Sequence, residues 1–192
     1  MSKIIFLNGC SSAGKSLIVR AIQHLSDEFW LNFGFDTFFK AMPPKYLPFG
    51  EKADEGIQFV PKNDEDKVQP VEVKSGKYGE ELAKSIPKIF KLLADDGHLL
   101  ILDEVVWKEE EMKDYALSLK NHEVYFVKVT CKLELAEERE KIRGDRVWGL
   151  ARDQYSKIEN LKWKYDLQVD TSQLTPFESA KKILEVVEDK KS

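Results

Sequence analysis

The residues best suited to chemistry come early in the chain. Gly9-Cys10-Ser11-Ser12-Ala13-Gly14-Lys15-Ser16 fits the phosphate-binding pattern G-x-x-x-x-G-K-[ST] and stands directly behind the apolar run Lys3-Ile4-Ile5-Phe6-Leu7-Asn8. Two glycines let the backbone curl so that successive N–H groups point inward, and a helix opening at Lys15 adds the positive end of its dipole. In such a cradle Lys15 reaches the β/γ-phosphates of a nucleoside triphosphate as a mobile point charge. The Ser16 hydroxyl then completes a Mg²⁺ shell whose other ligands are phosphate oxygens and water. An ordinary βα turn is the alternative; the strand before and the amphipathic helix after favour a nucleotide site.

Three further places carry chemistry of the same kind. Asp36 follows the β-prone run Phe29-Trp30-Leu31-Asn32-Phe33-Gly34-Phe35 and reads as the end of a second strand facing the phosphate loop. A carboxylate there can accept the proton of an acceptor hydroxyl as it attacks a γ-phosphate, or it can cap the helix begun by Thr37. Asp103, with Glu104 as a nearby competitor, closes the almost wholly apolar run from His98. An acid at that position binds Mg²⁺ through water, or anchors a loop or helix start. Arg143 and Arg146 lie in Ile142-Arg143-Gly144-Asp145-Arg146-Val147-Trp148-Gly149. As a pair on a lid they would neutralise a migrating phosphoryl group; a solvated charged face accounts equally well for Arg139 and Lys141.

The elements that must position these residues alternate. Leu17, Ile18, Ala21, Ile22 and Leu25 recur at helical spacing, predicting a helix from about Lys15 to Leu25. Between about Pro43 and Lys77 the composition shifts to five prolines and the charge run Lys62-Asn63-Asp64-Glu65-Asp66-Lys67. Gly56 to Val60 and Val68 to Val73 read there as two short β arms. Tyr78 to Leu93 resumes helical spacing, with Pro87 expected to kink the helix or reset its start. Then follow a strand at His98–Glu104, a helix at Lys108–Leu119, a strand at Glu123–Val129, helices at Lys132–Lys141 and Leu150–Trp163, a strand at Tyr165–Val169 and a helix opened by Pro176. Strands alternating with helices predict an α/β fold, a parallel sheet covered on both faces, with the ligand cleft at the strands' C-terminal ends.

Bulk properties bound the function. The 192 residues, 42% hydrophobic, suit one domain, 1–192, with an insertion at about 43–77 and a lid at about 142–149. Thirty basic against 34 acidic residues give a net charge of −4, so no global positive field exists to attract nucleic acid or an anionic membrane. The N-terminal apolar run is too short for a signal-peptide core and no run approaches a membrane span, which predicts a cytoplasmic protein. Cys10 and Cys131 give no disulfide scaffold, and His24, His98 and His122 lack zinc-ligand spacing.

Taken together, the phosphate loop with Ile18-Val19-Arg20, the segments Phe33-Gly34-Phe35-Asp36-Thr37 and Ala41-Met42-Pro43, then Arg143-Gly144-Asp145-Arg146-Val147, Tyr165-Asp166 and Val169-Asp170-Thr171 resemble the chloramphenicol phosphotransferase family over nearly the whole chain. The resemblance implies a three-layer P-loop fold like that of nucleoside-monophosphate and shikimate kinases, and transfer of the ATP γ-phosphate to a hydroxyl of the antibiotic, hence antibiotic resistance. It also implies Asp36 as base, Lys15 and an arginine of Arg143 and Arg146 as transition-state stabilisers, and Ser16 on Mg²⁺. The chain departs from that pattern at Cys10, where a glycine is expected, and in an insertion from Tyr46 to Lys77 that is longer and more charged. Alternative acceptors are a nucleotide, a UDP-sugar or another hydroxylated small molecule. A different class, a binding module that hydrolyses ATP or GTP without an acceptor, would call for a guanine-reading N-K-x-D motif; Asn121-His122-Glu123 supplies none.

Overall fold

The alternation of apolar runs and amphipathic stretches produces a central parallel sheet between helices in the computed structural model, which describes residues 1–62, 69–144 and 147–189. Strands β1 (Lys3–Asn8), β2 (Trp30–Phe33), β5 (Leu99–Glu104), β6 (Glu123–Thr130) and β7 (Leu167–Asp170) pair in the order β2-β5-β1-β6-β7. Every pairing is parallel, with Asn8 opposite Glu104 on one side and Lys128 on the other. All five C-terminal ends therefore share one edge, and β1, which feeds the phosphate loop, is central.

Period-two alternation sends successive β1 side chains to opposite faces. Ile5 and Leu7 join a core with Ile18 and Ile22 of α1 (Lys15–Leu25) and Ile183 and Val187 of α7 (Pro176–Asp189). Ile4 and Phe6 join a second core with Ile86 and Phe90 of α3 (Lys77–Asp95) and Met112 and Tyr115 of α4 (Glu109–Ser118). Phe6 meets Tyr115 edge-on, ring centres 4.9 Å apart. Among the described residues no helix is long and apolar enough to cross a membrane.

The expected elements are present with four differences. β2 stops at Phe33, and Asp36 lies in the first turn of a short helix, α2 (Phe35–Phe39), rather than at a strand end. The cause is a close approach: a Cβ on Gly34 would come within 2.2 Å of the Asp103 carbonyl oxygen, so the chain must leave the sheet there with no side chain. Phe38 then seats α2 against Phe90 of α3, ring centres 5.7 Å apart. Secondly, α3 runs as one helix through the buried Pro87 and begins at Lys77, with no reset at the proline. Thirdly, the insertion pairs β3 (Ile57–Pro61) with β4 (Val71–Ser75) antiparallel, a residue or more later than expected at each arm; Val68 and the run Asn63 to Lys67 lie outside the described residues. Fourthly, α6 (Leu150–Glu159) stops short of Trp163, because the chain turns to bury Leu161 in the second core and to set Trp163 edge-on to Phe126.

Two junctions join these elements at the strand edge. Glu104, 3% exposed, sits under the start of α2, with the Phe35 N–H and the Tyr115 hydroxyl facing its carboxyl and Oε1 otherwise unpartnered. Burial, then the neighbouring Asp103 charge, pushes this carboxyl up to about 8. The second junction is Gly149, at the start of α6. Its backbone has φ 103°, a Cβ there would fall 2.1 Å from the Gln69 carbonyl oxygen, and its own carbonyl accepts the Val71 N–H at 3.0 Å. The inserted hairpin thus presses on the base of the expected lid.

Both junctions can be probed by stability. A carboxyl whose folded pKa exceeds its unfolded one makes the native state bind the extra proton, so stability falls as pH rises between the two values, by up to about 1.4 kcal/mol per pH unit. Urea unfolding with a chelator present should show the wild type losing stability between about pH 5 and 8 relative to Glu104→Gln; parallel profiles would refute the assignment. Gly149→Ala combines a left-handed backbone with a backbone clash and should destabilise by about 1–3 kcal/mol, read as a lower urea midpoint.

Candidate active site

The phosphate loop is built from β1 upward. Gly9 lies so close to β6 that a Cβ would reach 2.4 Å from the Val129 carbonyl oxygen. The Ala13 N–H closes the loop onto the Cys10 carbonyl at 3.2 Å, and Gly14 precedes α1 with φ 96°. The Ser12 backbone is also left-handed, at φ 59°, and its buried hydroxyl has no hydrogen-bond partner.

Lys15 and Ser16 meet Asp103 at the end of β5. The Lys15 ammonium donates to the Gly9 and Cys10 carbonyls at 2.9 and 3.1 Å and lies 3.6 Å from Asp103 Oδ1. The Ser16 hydroxyl donates to Asp103 Oδ2 at 2.8 Å. A hydroxyl and a carboxylate side by side are hard oxygen donors of the kind Mg²⁺ takes. Among the described residues no group of three or more His, Cys, Asp or Glu is gathered for a metal. Any Mg²⁺ held here would need phosphate oxygens and water for the rest of its shell. Asn8, beneath the loop, donates to the Val106 carbonyl and accepts the Val106 N–H, both at 2.8 Å, which fixes the segment that follows Asp103.

Asp36 is exposed on the first turn of α2, two residues beyond the glycine that touches Asp103 and next to the Phe35 amide that faces Glu104. The cap at this helix start is Gly34, not Asp36. Asp36 thus stands in the first turn of a helix that starts at the strand edge also holding Lys15, Ser16 and Asp103. Of the two lid arginines, Arg143 is the exposed last residue of α5 (Leu133–Arg143), followed by left-handed Gly144, while Arg146 lies outside the described residues.

Three residues that the sequence did not mark as functional, together with Thr171, bind the loop to its surroundings. Gln154 of α6 accepts the Ser11 N–H at 2.7 Å. Glu140 of α5 is buried and accepts the N–H groups of Gly149 and Ala151 at 2.8 and 3.0 Å, capping α6 with a carboxyl that burial pushes up. Arg139, expected on a solvated face, instead grips Thr171 twice, at its hydroxyl (2.9 Å) and its carbonyl (3.0 Å). The Thr171 hydroxyl in turn donates to the Ala13 carbonyl at 2.8 Å. Only the Val169-Asp170-Thr171 segment carried a signal, through the family resemblance; Arg139, Glu140 and Gln154 sit in charge-rich helices whose pattern does not mark them.

A phosphate-sized cradle, an ammonium and a hydroxyl–carboxylate pair at one edge of a parallel sheet are an arrangement for handling a nucleotide's phosphates. The comparisons agree. A Mycobacterium tuberculosis (strain H37Rv) protein described as a candidate O-phosphotransferase is 30% identical over 183 residues, covering 95% of this chain and 81% of the relative. Among solved structures, a sugar kinase from Janibacter sp. HTCC2649 superposes with TM-score 0.65 at 14% identity, covering 97% of this chain and 95% of the other. The Mycobacterium tuberculosis APS kinase in complex with AMPPNP and APS gives 0.63 at 18%, covering 97% and 98%. Shikimate kinase from Acinetobacter baumannii in complex with shikimate gives 0.59 at 15%, covering 100% and 96%. At such identities these structures speak for the fold, which is that of P-loop kinases. Residues 2–188 match the chloramphenicol phosphotransferase-like protein family, and the chain is a member of that family, a phosphotransferase.

Proposed function

We propose that the protein moves the γ-phosphate of ATP to a hydroxyl of a small molecule, with a chloramphenicol-like antibiotic as the leading acceptor. The observation that carries this reading is Asp36, an exposed carboxylate on a turn packed directly against the β5 end where Asp103 meets Lys15 and Ser16. Asp36 takes the proton of the acceptor hydroxyl as its oxygen attacks the γ-phosphorus. The bond to the β–γ bridging oxygen breaks, ADP leaves, and the phosphorylated acceptor and one proton complete the balance. Lys15 turns from its loop carbonyls to the β/γ-phosphates, and the loop's backbone N–H groups other than those of Ser11 and Ala13, which hold the loop's own shape, bind the rest of the chain of phosphates. Arg143 or Arg146 supplies the cation over the migrating group. Ser16 and Asp103 would hold Mg²⁺, which when bound neutralises charge on the β- and γ-oxygens.

A second acceptor class has its own support. α3 enters β5 through a tight turn at Gly97, so it runs antiparallel to that strand and its N-terminal end stands at the strands' C-terminal edge. There Tyr46 and Tyr78 pack edge-on at 5.1 Å, with the Lys45, Lys52 and Lys77 ammonium groups within 6.0 Å of one ring or the other. Rings ringed by cations favour an acceptor that carries its own negative charge, such as a nucleotide or UDP-sugar. ADP release measured with chloramphenicol, UDP-sugars and nucleoside monophosphates in parallel separates the two; no release above hydrolysis with any hydroxylated acceptor would overturn the transferase reading for this site.

Asp36→Asn should lower kcat by roughly 10²–10⁴-fold while nucleotide affinity stays the same, the usual cost of removing a general base. Retention of turnover within about threefold refutes the base role. Lys15→Ala should abolish measurable transfer and weaken binding of a fluorescent ATP analogue, because the cradle loses its one mobile cation; unchanged turnover would remove Lys15 from the mechanism.

A further inference from the structure

The chain's only two cysteines, Cys10 and Cys131, come from distant parts of the sequence and meet beside the phosphate loop. β1 and β6 are neighbours with Asn8 opposite Lys128, and just beyond that pair the first strand continues into Cys10 and the second into Cys131. Continued past the strands, that register sets Cys10 opposite Thr130 with Cys131 its diagonal neighbour, so the ~4.8 Å strand spacing and ~3.3 Å rise put the two Cα atoms about 5.8 Å apart, within the roughly 4.4–6.8 Å that a disulfide spans. Each thiol is free, each residue is 4% exposed, and both line one shallow cleft whose rim carries Thr130, Tyr155 and Glu159. We propose that Cys10 and Cys131 are an oxidative modification site: a peroxide joins them in a disulfide that distorts the phosphate loop and switches nucleotide binding off.

The chemistry assigns the two sulfurs different parts. The Cys10 thiol donates to Cys131 and is held protonated by that bond and by burial, whereas the bond, with the positive charges of Arg139 and Lys15, pulls the Cys131 thiol down towards the thiolate. The Cys131 thiolate attacks one oxygen of hydrogen peroxide; the O–O bond breaks, giving a sulfenic acid and, with one proton, water. The Cys10 sulfur displaces the sulfenic hydroxyl as a second water, closing the S–S bond. Two thiols and one peroxide thus yield one disulfide and two waters, with the sulfurs oxidised and the peroxide reduced.

The functional consequence follows from where Cys10 sits. Its carbonyl accepts both the Ala13 N–H that closes the loop and the Lys15 ammonium. Bringing the sulfurs to about 2 Å drags Cys10 towards β6. Gly9 is already against the Val129 carbonyl, so the strand cannot follow as a rigid body and the loop must deform.

The test uses the intact protein, hydrogen peroxide as oxidant and a fluorescent ATP analogue as probe, so it is independent of the acceptor. After peroxide, alkylation should label neither cysteine, the intact mass should fall by two hydrogens, and analogue affinity should drop roughly tenfold or more, about one charge-assisted hydrogen bond lost from the cradle. Dithiothreitol should restore affinity. Cys131→Ala and, should that variant fold poorly, Cys131→Ser should bind the analogue like wild type before oxidation and keep that affinity afterwards. Two alkylatable thiols in oxidised wild type, a disulfide with unchanged affinity, or equal loss in the Cys131 variants each overturn the proposal.

Discussion

An ammonium and a carboxylate must be kept close at the ends of two buried strands without neutralising each other's purpose, and the architecture answers to that constraint. Lys15 is satisfied by its own loop's carbonyls with Asp103 at 3.6 Å, while Asp103 gives its second oxygen to Ser16. The pair is therefore poised and not locked: the lysine has the loop as an alternative resting place, and the carboxylate has the hydroxyl. Parallel pairing of β1 with β5 is what brings them together, since it aligns Asn8 with Glu104 and puts both C-terminal ends on one edge. Asn8 extends the same alignment past the strands by bonding both sides of the Val106 peptide.

The sequence is most readable where local chemistry decides. The phosphate loop and α1 follow from glycines and an apolar stripe only a few residues away, and β1, β5 and β6 from runs that are apolar because both faces of the sheet are covered. It is least readable where a distant backbone decides. Nothing within Phe29 to Asp36 says that Gly34 will meet the Asp103 carbonyl, and that contact converts an expected strand end into the turn that presents Asp36. Pro87 would kink a helix in isolation or reset its start; here it is buried and carried within α3.

The residues that tie the site together escaped for a related reason. Arg139 and Glu140 belong to α5, a helix so rich in charge that solvated and functional side chains look alike, and Gln154 lies on α6 facing back towards Ser11. Their partners become neighbours only when α5 and α6 fold back against each other under the Glu140 cap. The helices on either side of residues 142–149 are thus both tied to the phosphate loop, one through Arg139 and Thr171, the other through Gln154.

The inserted hairpin is wired into the same framework. Asp153 of α6, 5% exposed, receives Lys62 from the hairpin at 2.6 Å and Lys157 from its own helix at 2.7 Å, and Glu72 of β4 balances both lysines at 3.6 and 3.2 Å. Each side brings one charge of each sign, and the pairs cross: Asp153 takes a lysine from the hairpin as well as its own, and Glu72 does the same from the other side. Modularity ends there. A chimera that transplanted residues 43–77 from a relative would remove Lys62 and Glu72 together, leaving Asp153 with Lys157 as the one remaining partner of its two, under the helix whose Gln154 holds the Ser11 N–H. The arm and the first turns of α6 are therefore one packed unit, and an exchange that keeps these ion pairs and the Gly149–Val71 bond carries both.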